Sequence, residues 1–238
     1  IDLLLLLIKS LVQRRPDFKL ILVSATIDIE LFRTYYPTPT FRFTALDISS
    51  GPMNPIQEHW LEKPIPLKAD TYIQEAVKRV NTILRETKEG DILVFLASNT
   101  ELTKACELLH ETNKDNLSFC VVASSASISA STDQKKLITE VQLDNPKRKV
   151  IMGTNVAEES ITIKNIDFVI DTGVAFKNVY NPYKMVDVMD RVYVTKASVK
   201  QRMGRTGRLR EGTAYHLYTK EQYDAFPGYD LPEIKSID

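Results

Sequence analysis

From about residue 70 to residue 171, apolar runs of five or six residues alternate with longer amphipathic stretches, and that alternation leaves few folds open. Ile73, Ala76, Val77, Val80, Ile83 and Leu84 recur at spacings of three, four and seven, the pattern of a helix with one apolar face. Asp91 to Leu96 then reads as a buried strand, Asn99 to Glu111 as a helix and Leu117 to Ala123 as a strand. Ser131 with Gln134 has the form of a capping box and opens a further helix to about Leu143; Arg148–Gly153 and Ile166–Asp171 are short apolar strands. Strands that alternate with helices demand right-handed crossovers, hence an α/β fold with a mostly parallel sheet covered by helices on both faces. Such sheets bind ligands at the C-terminal ends of their strands, here just after Leu96, Ala123, Gly153 and Asp171. Val174–Tyr180 and Val186–Thr195, separated by Asn181-Pro182-Tyr183-Lys184, break the alternation and read as an inserted β-hairpin.

Upstream, a Leu-rich helix (Asp2 to Gln13), a strand (Lys19 to Val23), a helix (Ile29 to Tyr36) stopped by Pro37 and Pro39, and a strand alternating at Phe41, Phe43 and Ala45 make a piece too small to bury its own core. Residues 47–69 hold Gly51-Pro52, Pro55, Pro64 and Pro66, so a domain boundary is placed there. Lys and Arg number 31 against 31 Asp and Glu, which excludes coating nucleic acid by bulk charge but not a local patch. The longest apolar run, Leu3 to Ile8, is far short of the roughly 20 residues that span a bilayer, and no membrane contact is expected. Cys106 and Cys120, without C-x-x-C spacing or a nearby His, are expected to be buried reduced thiols, in keeping with an intracellular protein. No Gly is followed by Lys and no Asp by Glu, so neither a G-x-x-x-x-G-K-[ST] phosphate loop nor a D-E-x-[HD] magnesium motif is present.

Chemistry concentrates in Gln201-Arg202-Met203-Gly204-Arg205-Thr206-Gly207-Arg208. On a helix, Gln201, Arg205 and Arg208 share a face: two guanidinium forks suited to phosphate oxygens and an amide able to orient water. Glycines at 204 and 207 would each cost about 1 kcal/mol inside a helix, which makes sense only where another surface comes very close. Lys196 to Arg210 carries six basic residues and no acid. A second segment, Gly153-Thr154-Asn155-Val156-Ala157-Glu158-Glu159-Ser160-Ile161-Thr162-Ile163, follows a strand and combines hydroxyls with a helix N-terminus able to offer N–H groups to a phosphate. Ser24-Ala25-Thr26 is the third.

In this order and spacing the three segments, with Asp91 to Ser98, resemble motifs VI, V, III and IV of the DEAH-box (RNA helicase A-like) family of superfamily 2 helicases. Val169-Ile170-Asp171-Thr172-Gly173 and Val179-Tyr180-Asn181-Pro182 are similar to the family's segment between motifs V and VI. The resemblance implies a RecA-like (P-loop NTPase-type) fold: residues 1–53 as the end of a first RecA-like domain, 54–230 as the second and 231–238 as the lead into a winged-helix domain. It implies an NTP-dependent RNA helicase or RNP remodeller moving 3′ to 5′, with ATP or another NTP and Mg²⁺ held mainly by the first domain. Gln201 would position the attacking water, while Arg205 and Arg208 would contact the β- and γ-phosphates, Arg208 as the finger. Ser160 and Thr162 would face the nucleotide, and Thr154, Ser98, Ser124 and Ser125 would hold RNA phosphates. Ser24 and Thr26 would couple hydrolysis to domain movement, and the hairpin would act where strands separate. The partners implied are RNA, single-stranded or with a single-stranded tail, and protein cofactors; nucleus, cytoplasm and virion are equally compatible. Lacking the phosphate loop and metal carboxylates, the 238 residues alone are expected to hydrolyse nothing.

Some residues depart from the family. Glu159 replaces a Thr in motif V, Lys164 stands where Asp is frequent, and Ile138 falls where an aromatic residue stacks on the base when Gln134-Lys-Lys-Leu-Ile138 is aligned with Q-x-x-I-F. His59, His110, His216 and Trp60 read as structural or surface residues, and Asp171 as a residue supporting the site or capping the next turn. Two other readings remain open: a catalytically inactive RNA- or partner-binding RecA-like module, and a viral or DNA-directed superfamily 2 helicase.

Overall fold

The computed structural model describes residues 2–15, 17–24, 26–37, 40–46, 48, 54–113, 115, 117–124, 136, 138, 147–159, 163, 165–181, 183 and 185–230. The chain divides into two compact units, residues 52–228 and a smaller one of residues 1–51 with 229–238.

In the larger unit, β1 (Ile56–Trp60), α3 (Ala69–Glu86), β2 (Asp91–Phe95), α4 (Asn99–Thr112), β3 (Ser118–Ala123), β4 (Arg148–Gly153), α5 (Val156–Glu159), β5 (Ile166–Asp171), β6 (Val174–Asn181), β7 (Val186–Tyr193), α6 (Lys196–Met203), β8 (Gly212–His216) and α7 (Lys220–Ala225) follow one another. Six strands form one sheet in the order β1-β8-β5-β2-β4-β3, every pair parallel. This is the parallel α/β sheet that the alternation requires, and it fits the RecA-like architecture that the resemblance implies. The hairpin also forms: β6 and β7 pair antiparallel, from Val174 opposite Tyr193 to Asn181 opposite Val186.

Strand β2 shows why both faces must be covered, since all five of its residues are buried. Ile92, Val94 and Leu96 join one core cluster with the apolar faces of α3 and α4, whereas Leu93 and Phe95 join the other with Val121, Ile151, Ala157 and Val169. Alternate side chains of a strand point to opposite faces, so a continuous apolar run is a two-sided one. Helix α3 buries Tyr72, Ile73, Ala76, Val77, Val80, Ile83 and Leu84. Each fully buried Val, Leu or Ile is worth about 1.5–3 kcal/mol, which makes this face the main anchor of the helix. Arg148 closes the other end of α3: its Nε donates to the Gly90 carbonyl at 2.7 Å and its Nη1 to the Thr87 carbonyl at 3.1 Å. The helix begins at Ala69 with Lys68 as its N-cap, and Asp70 lies in the first turn.

Several expectations are corrected. Residues 47–69, where a domain boundary is placed, also hold an unexpected strand: Ile56–Trp60 is an edge strand paired with β8, and Pro55 precedes it, where a missing N–H costs no ladder bond. In the smaller unit α1 (Asp2–Arg14) and α2 (Ile29–Tyr35) form, the latter capped by Asp28 accepting from the Leu31 N–H. Lys19–Val23 and Phe41–Ala45 do not form strands: a strand needs a neighbour for its hydrogen bonds, and among the described residues neither segment has one. Ile21 and Val23 are accordingly exposed, while Phe41 packs edge-on against Tyr36. Cys106 and Cys120 are not free thiols but a disulfide joining α4 to β3, so they say nothing in favour of a reducing compartment. Ile138 is buried in the second cluster and its carbonyl accepts from Lys149 Nζ at 3.1 Å, so its side chain is core and not a platform for a base. Gln134 and Lys164, like most of the helix expected from Ser131 to Leu143, lie outside the described residues.

Candidate functional site

The C-terminal ends of β2, β4 and β3 lie side by side, with Phe95, Gly153 and Ala123 in register. The chain leaves these ends through Ser98, Thr154 and Ser124, so three of the four hydroxyl residues expected at RNA stand along one edge of the sheet. Ser98 is the N-cap of α4, its Oγ accepting from the Glu101 N–H at 3.4 Å. A hydroxyl that accepts in a cap keeps its own O–H to donate, as a phosphate oxygen needs. The Thr154 N–H is bonded to the Ala123 carbonyl, and Ser124 is buried. Ser125, Ser160 and Thr162 lie outside the described residues, as does the side chain of Glu159. Ser24 and Thr26 belong to the smaller unit, where Ser24 Oγ donates to the Thr26 carbonyl at 2.7 Å.

Helix α6 is capped by Thr195, whose hydroxyl accepts from the Ser198 N–H at 3.2 Å, and ends at Met203. Gln201 is therefore in the helix, whereas Arg205 and Arg208 lie in the turns beyond it; they do not share a continuous helical face. The two glycines part company for the same reason. Gly204 is the C-cap, with φ of −65°, and an added Cβ would stay 3.2 Å from the nearest backbone atom. Gly207 has φ of +72° and lies so close to β1 that a Cβ would meet Ile56 Cγ1 at 2.7 Å. The close approach expected of both glycines exists at Gly207, in a turn. Arg205 reaches back to α5 and its Nη2 donates to the Glu158 carbonyl, which joins the two chemistry-bearing segments directly. Arg208 is exposed, with its Nε on the Gly204 carbonyl at 3.1 Å.

At the centre is Arg202, a residue to which the sequence reading assigned no role. It is completely buried and lies over the Phe95 ring. Its Nε donates to Glu158 Oε2 at 3.0 Å, Nη1 to Asp171 Oδ1 at 2.7 Å, and Nη2 to Asn155 Oδ1 at 2.7 Å. Ser198 Oγ donates to the other Glu158 oxygen at 2.6 Å. Asp171 also accepts from the Gly173 N–H at 2.8 Å and the Tyr218 hydroxyl at 2.8 Å, so it both supports the site and caps the turn. Beyond Tyr218, His216 Nδ1 lies 3.0 Å from its hydroxyl and His216 Nε2 lies 3.1 Å from Glu58 on β1. A chain of polar groups, buried except for the exposed Glu58, thus runs from the sheet's edge strand to the carbonyl that holds Arg205.

Burial works against charge on both acids, with different outcomes. It pushes Asp171 upward, but the charges of Arg202 and His216 overcome it and hold the carboxyl below the usual range. For Glu158 burial prevails over the attraction of Arg202, and the carboxyl is raised. His216 is lowered, chiefly by burial, against the pull of Asp171 and Glu58. Trp60 stacks on His216 with ring centroids 3.9 Å apart, so it is a packing residue.

The six basic residues of 196–210 are not one charged face. Arg202 is neutralised by Glu158 and Asp171, Arg210 by Asp167 and Glu89, and Lys196 Nζ turns to the Asp224 carbonyl. A run free of acids in sequence is met in space by acids from β5, α5 and the turn before β2, while Arg205 is held by the Glu158 carbonyl and Arg208 is exposed. The signal for Arg202 was present on the acid side: Asp171 closes an apolar strand, and a carboxylate buried there must find a cation.

Residues 75–210 match the sequence model of the helicase conserved C-terminal domain. The chain is 34% identical over 240 residues to the pre-mRNA-splicing factor ATP-dependent RNA helicase prp22 of Schizosaccharomyces pombe, covering 98% of the chain and 19% of that protein. It is 33% identical over 241 residues to the ATP-dependent RNA helicase HrpA of Borreliella burgdorferi, covering 100% of the chain and 28% of the relative. Among solved structures it resembles the DEAH/RHA helicase HrpB of Escherichia coli, with TM-score 0.73 and 29% identity over 92% of the chain and 26% of that protein. The chain spans about a third or less of the length of the curated relatives it matches. Together with the parallel sheet and the joined motif V and VI segments, these matches show that the chain belongs to the helicase conserved C-terminal domain family, in its DEAH-box RNA helicase branch.

Proposed function

We propose that the protein carrying this domain is an NTP-dependent RNA helicase or RNP remodeller, and that the domain supplies one wall of the nucleotide site and part of the RNA grip. The observation that carries the reading is the bond from Arg205 to the Glu158 carbonyl beside the hydroxyl-bearing strand ends, which puts cations and phosphate-type donors on the same edge of one sheet. Bound ATP supplies the phosphoanhydride whose hydrolysis drives movement. Gln201 orients the attacking water, and Arg205 and Arg208 hold the β- and γ-phosphates; a positioned arginine of this kind is worth about 10³–10⁵ in rate. Arg208 suits the role, since it is exposed and among the described residues its terminal nitrogens meet no acid. The Mg²⁺ that the family resemblance implies is assigned, with most of the nucleotide's contacts, to a first RecA-like domain.

Ser98, Ser124 and Thr154 contact RNA phosphates, and Ser125 extends the set. Contacts to the backbone carry little base information, so the grip tolerates any RNA sequence. Translocation runs 3′ to 5′, as the family resemblance implies. In the full-length protein, Arg208→Ala is expected to abolish RNA-stimulated ATP hydrolysis while RNA binding without nucleotide stays within about twofold. Hydrolysis that survives the change would refute the finger assignment, and a wild-type protein with no RNA-stimulated hydrolysis would favour an inactive RNA-binding module.

A further inference from the structure

Among the described residues the hairpin's strands pair with each other, outside the six-stranded sheet. Near its base, Arg191 on β7 lies opposite Phe176 on β6, with its guanidinium over that ring at 4.9 Å. Its Nε donates to Glu101 Oε1 at 3.0 Å and to the Tyr72 hydroxyl at 3.2 Å, and the Tyr72 hydroxyl donates to the same Glu101 oxygen at 2.6 Å. Glu101, in the first turn of α4, is only 3% exposed. Its other oxygen, Oε2, accepts from the Ala97 N–H at 3.0 Å, in the turn that carries Ser98. A carboxylate that caps a helix needs one oxygen for the task and keeps the other in water. Here the second oxygen is buried and bound to a strand 90 residues downstream, which local capping does not require.

We propose that Glu101 and Arg191 form a latch that fixes the hairpin to the RNA-contacting turn at Ala97–Ser98, so that the hairpin moves with the domain's hold on the RNA backbone. The proposal rests on the RNA helicase reading above. Glu101 is the joint, because its two oxygens serve the two elements separately. Arg191 is a positioning residue: it touches no reacting group and acts by holding the hairpin's angle. A charge-assisted bond to a buried carboxylate is stiff, whereas the hairpin's outer residues Tyr183 and Met185 are exposed. Loss of the latch should therefore leave hydrolysis intact and waste its output, since the hairpin would no longer follow the turn.

The test uses the full-length protein with Arg191→Met, which keeps an unbranched chain over Phe176, and Arg191→Lys, which restores the charge without the fork. Amide hydrogen exchange is followed at residues 97–101 and 174–193. In Arg191→Met, hairpin amides are expected to exchange at least about tenfold faster, equivalent to about 1.4 kcal/mol, with Arg191→Lys in between. Base pairs opened per NTP hydrolysed should fall at least about fivefold while RNA-stimulated hydrolysis stays within about twofold. Unchanged hairpin exchange overturns the latch, and so does a parallel fall of unwinding and hydrolysis, which would mean that Arg191 serves the nucleotide site. If the wild-type protein shows no RNA-stimulated hydrolysis, the helicase reading fails, and the exchange measurement still decides whether the latch exists.

Discussion

Replacing Arg202 with Met keeps most of the side-chain volume over Phe95 but removes the one cation between Glu158 and Asp171, which are both buried. Each charge-assisted bond lost is worth roughly 1.5–3 kcal/mol, but such values do not add, and two carboxylates are left behind. Asp171 keeps its bonds from the Gly173 N–H and the Tyr218 hydroxyl; Glu158, among the described residues, keeps that from Ser198 Oγ. Breaking a buried ion pair by deleting one partner costs about 3–5 kcal/mol, and with two acids stranded the upper part of that range is expected. Against a total stability of about 5–15 kcal/mol this is a large loss, and at about 2–4 °C per kcal/mol it lowers Tm by roughly 10–15 °C. Urea unfolding followed by Trp60, the single tryptophan, which is stacked on His216 in the same polar chain, reads the loss directly.

The pH dependence gives the sign. Without Arg202 the folded-state pKa of both acids lies above the unfolded value, so the stability their protonation favours is present at low pH and is lost as pH rises through the folded pKa. The gap between wild type and Arg202→Met should therefore widen from pH 5 to pH 8. A loss below about 1 kcal/mol at pH 7, or a gap that narrows with rising pH, would refute the view that Arg202 neutralises these two carboxylates.

Three other outcomes follow from the same geometry. Gly207→Ala should cost at least about 1–2 kcal/mol in urea unfolding, because its φ of +72° is left-handed and its Cβ would strike Ile56, whereas Gly204→Ala should cost less than half as much. Reducing the Cys106–Cys120 disulfide, with a sequence separation of 14, should lower stability by up to about 3 kcal/mol, seen as a Tm shift with dithiothreitol that vanishes in a Cys106→Ala/Cys120→Ala protein. His216, lowered by burial, favours folding in its neutral form; that stability is present above the unfolded pKa of about 6.5 and is lost as pH falls below it, so His216→Asn should flatten the acid limb of a Tm–pH curve.

The elements legible in the sequence are those whose signal is local. The continuous apolar run of β2, the 3-4-7 face of α3 and the turn residues between β6 and β7 require no knowledge of neighbours, and the parallel sheet follows from the alternation of strands and helices. The strand β1 was hidden because an edge strand half-buried at its two ends and exposed between them shows little periodicity and sits amid prolines. The strands expected at Lys19–Val23 and Phe41–Ala45 failed for the opposite reason: apolar alternation states what a segment can do, but hydrogen-bonded neighbours decide whether it does.

By itself the sequence determined the fold class, the family and which segments carry chemistry, because periodicity and motif order are properties of the chain read in one dimension. Only the tertiary structure decided what those residues face. Arg202 meets Glu158 and Asp171 across separations of 44 and 31 residues, Arg191 meets Glu101 across 90, and the basic run at 196–210 is divided between paired and exposed cations. The physical reason is that a buried charge is tolerable only beside its counter-charge, and in an α/β fold that partner arrives on another helix or strand, at a distance along the chain that the connections set and periodicity does not record.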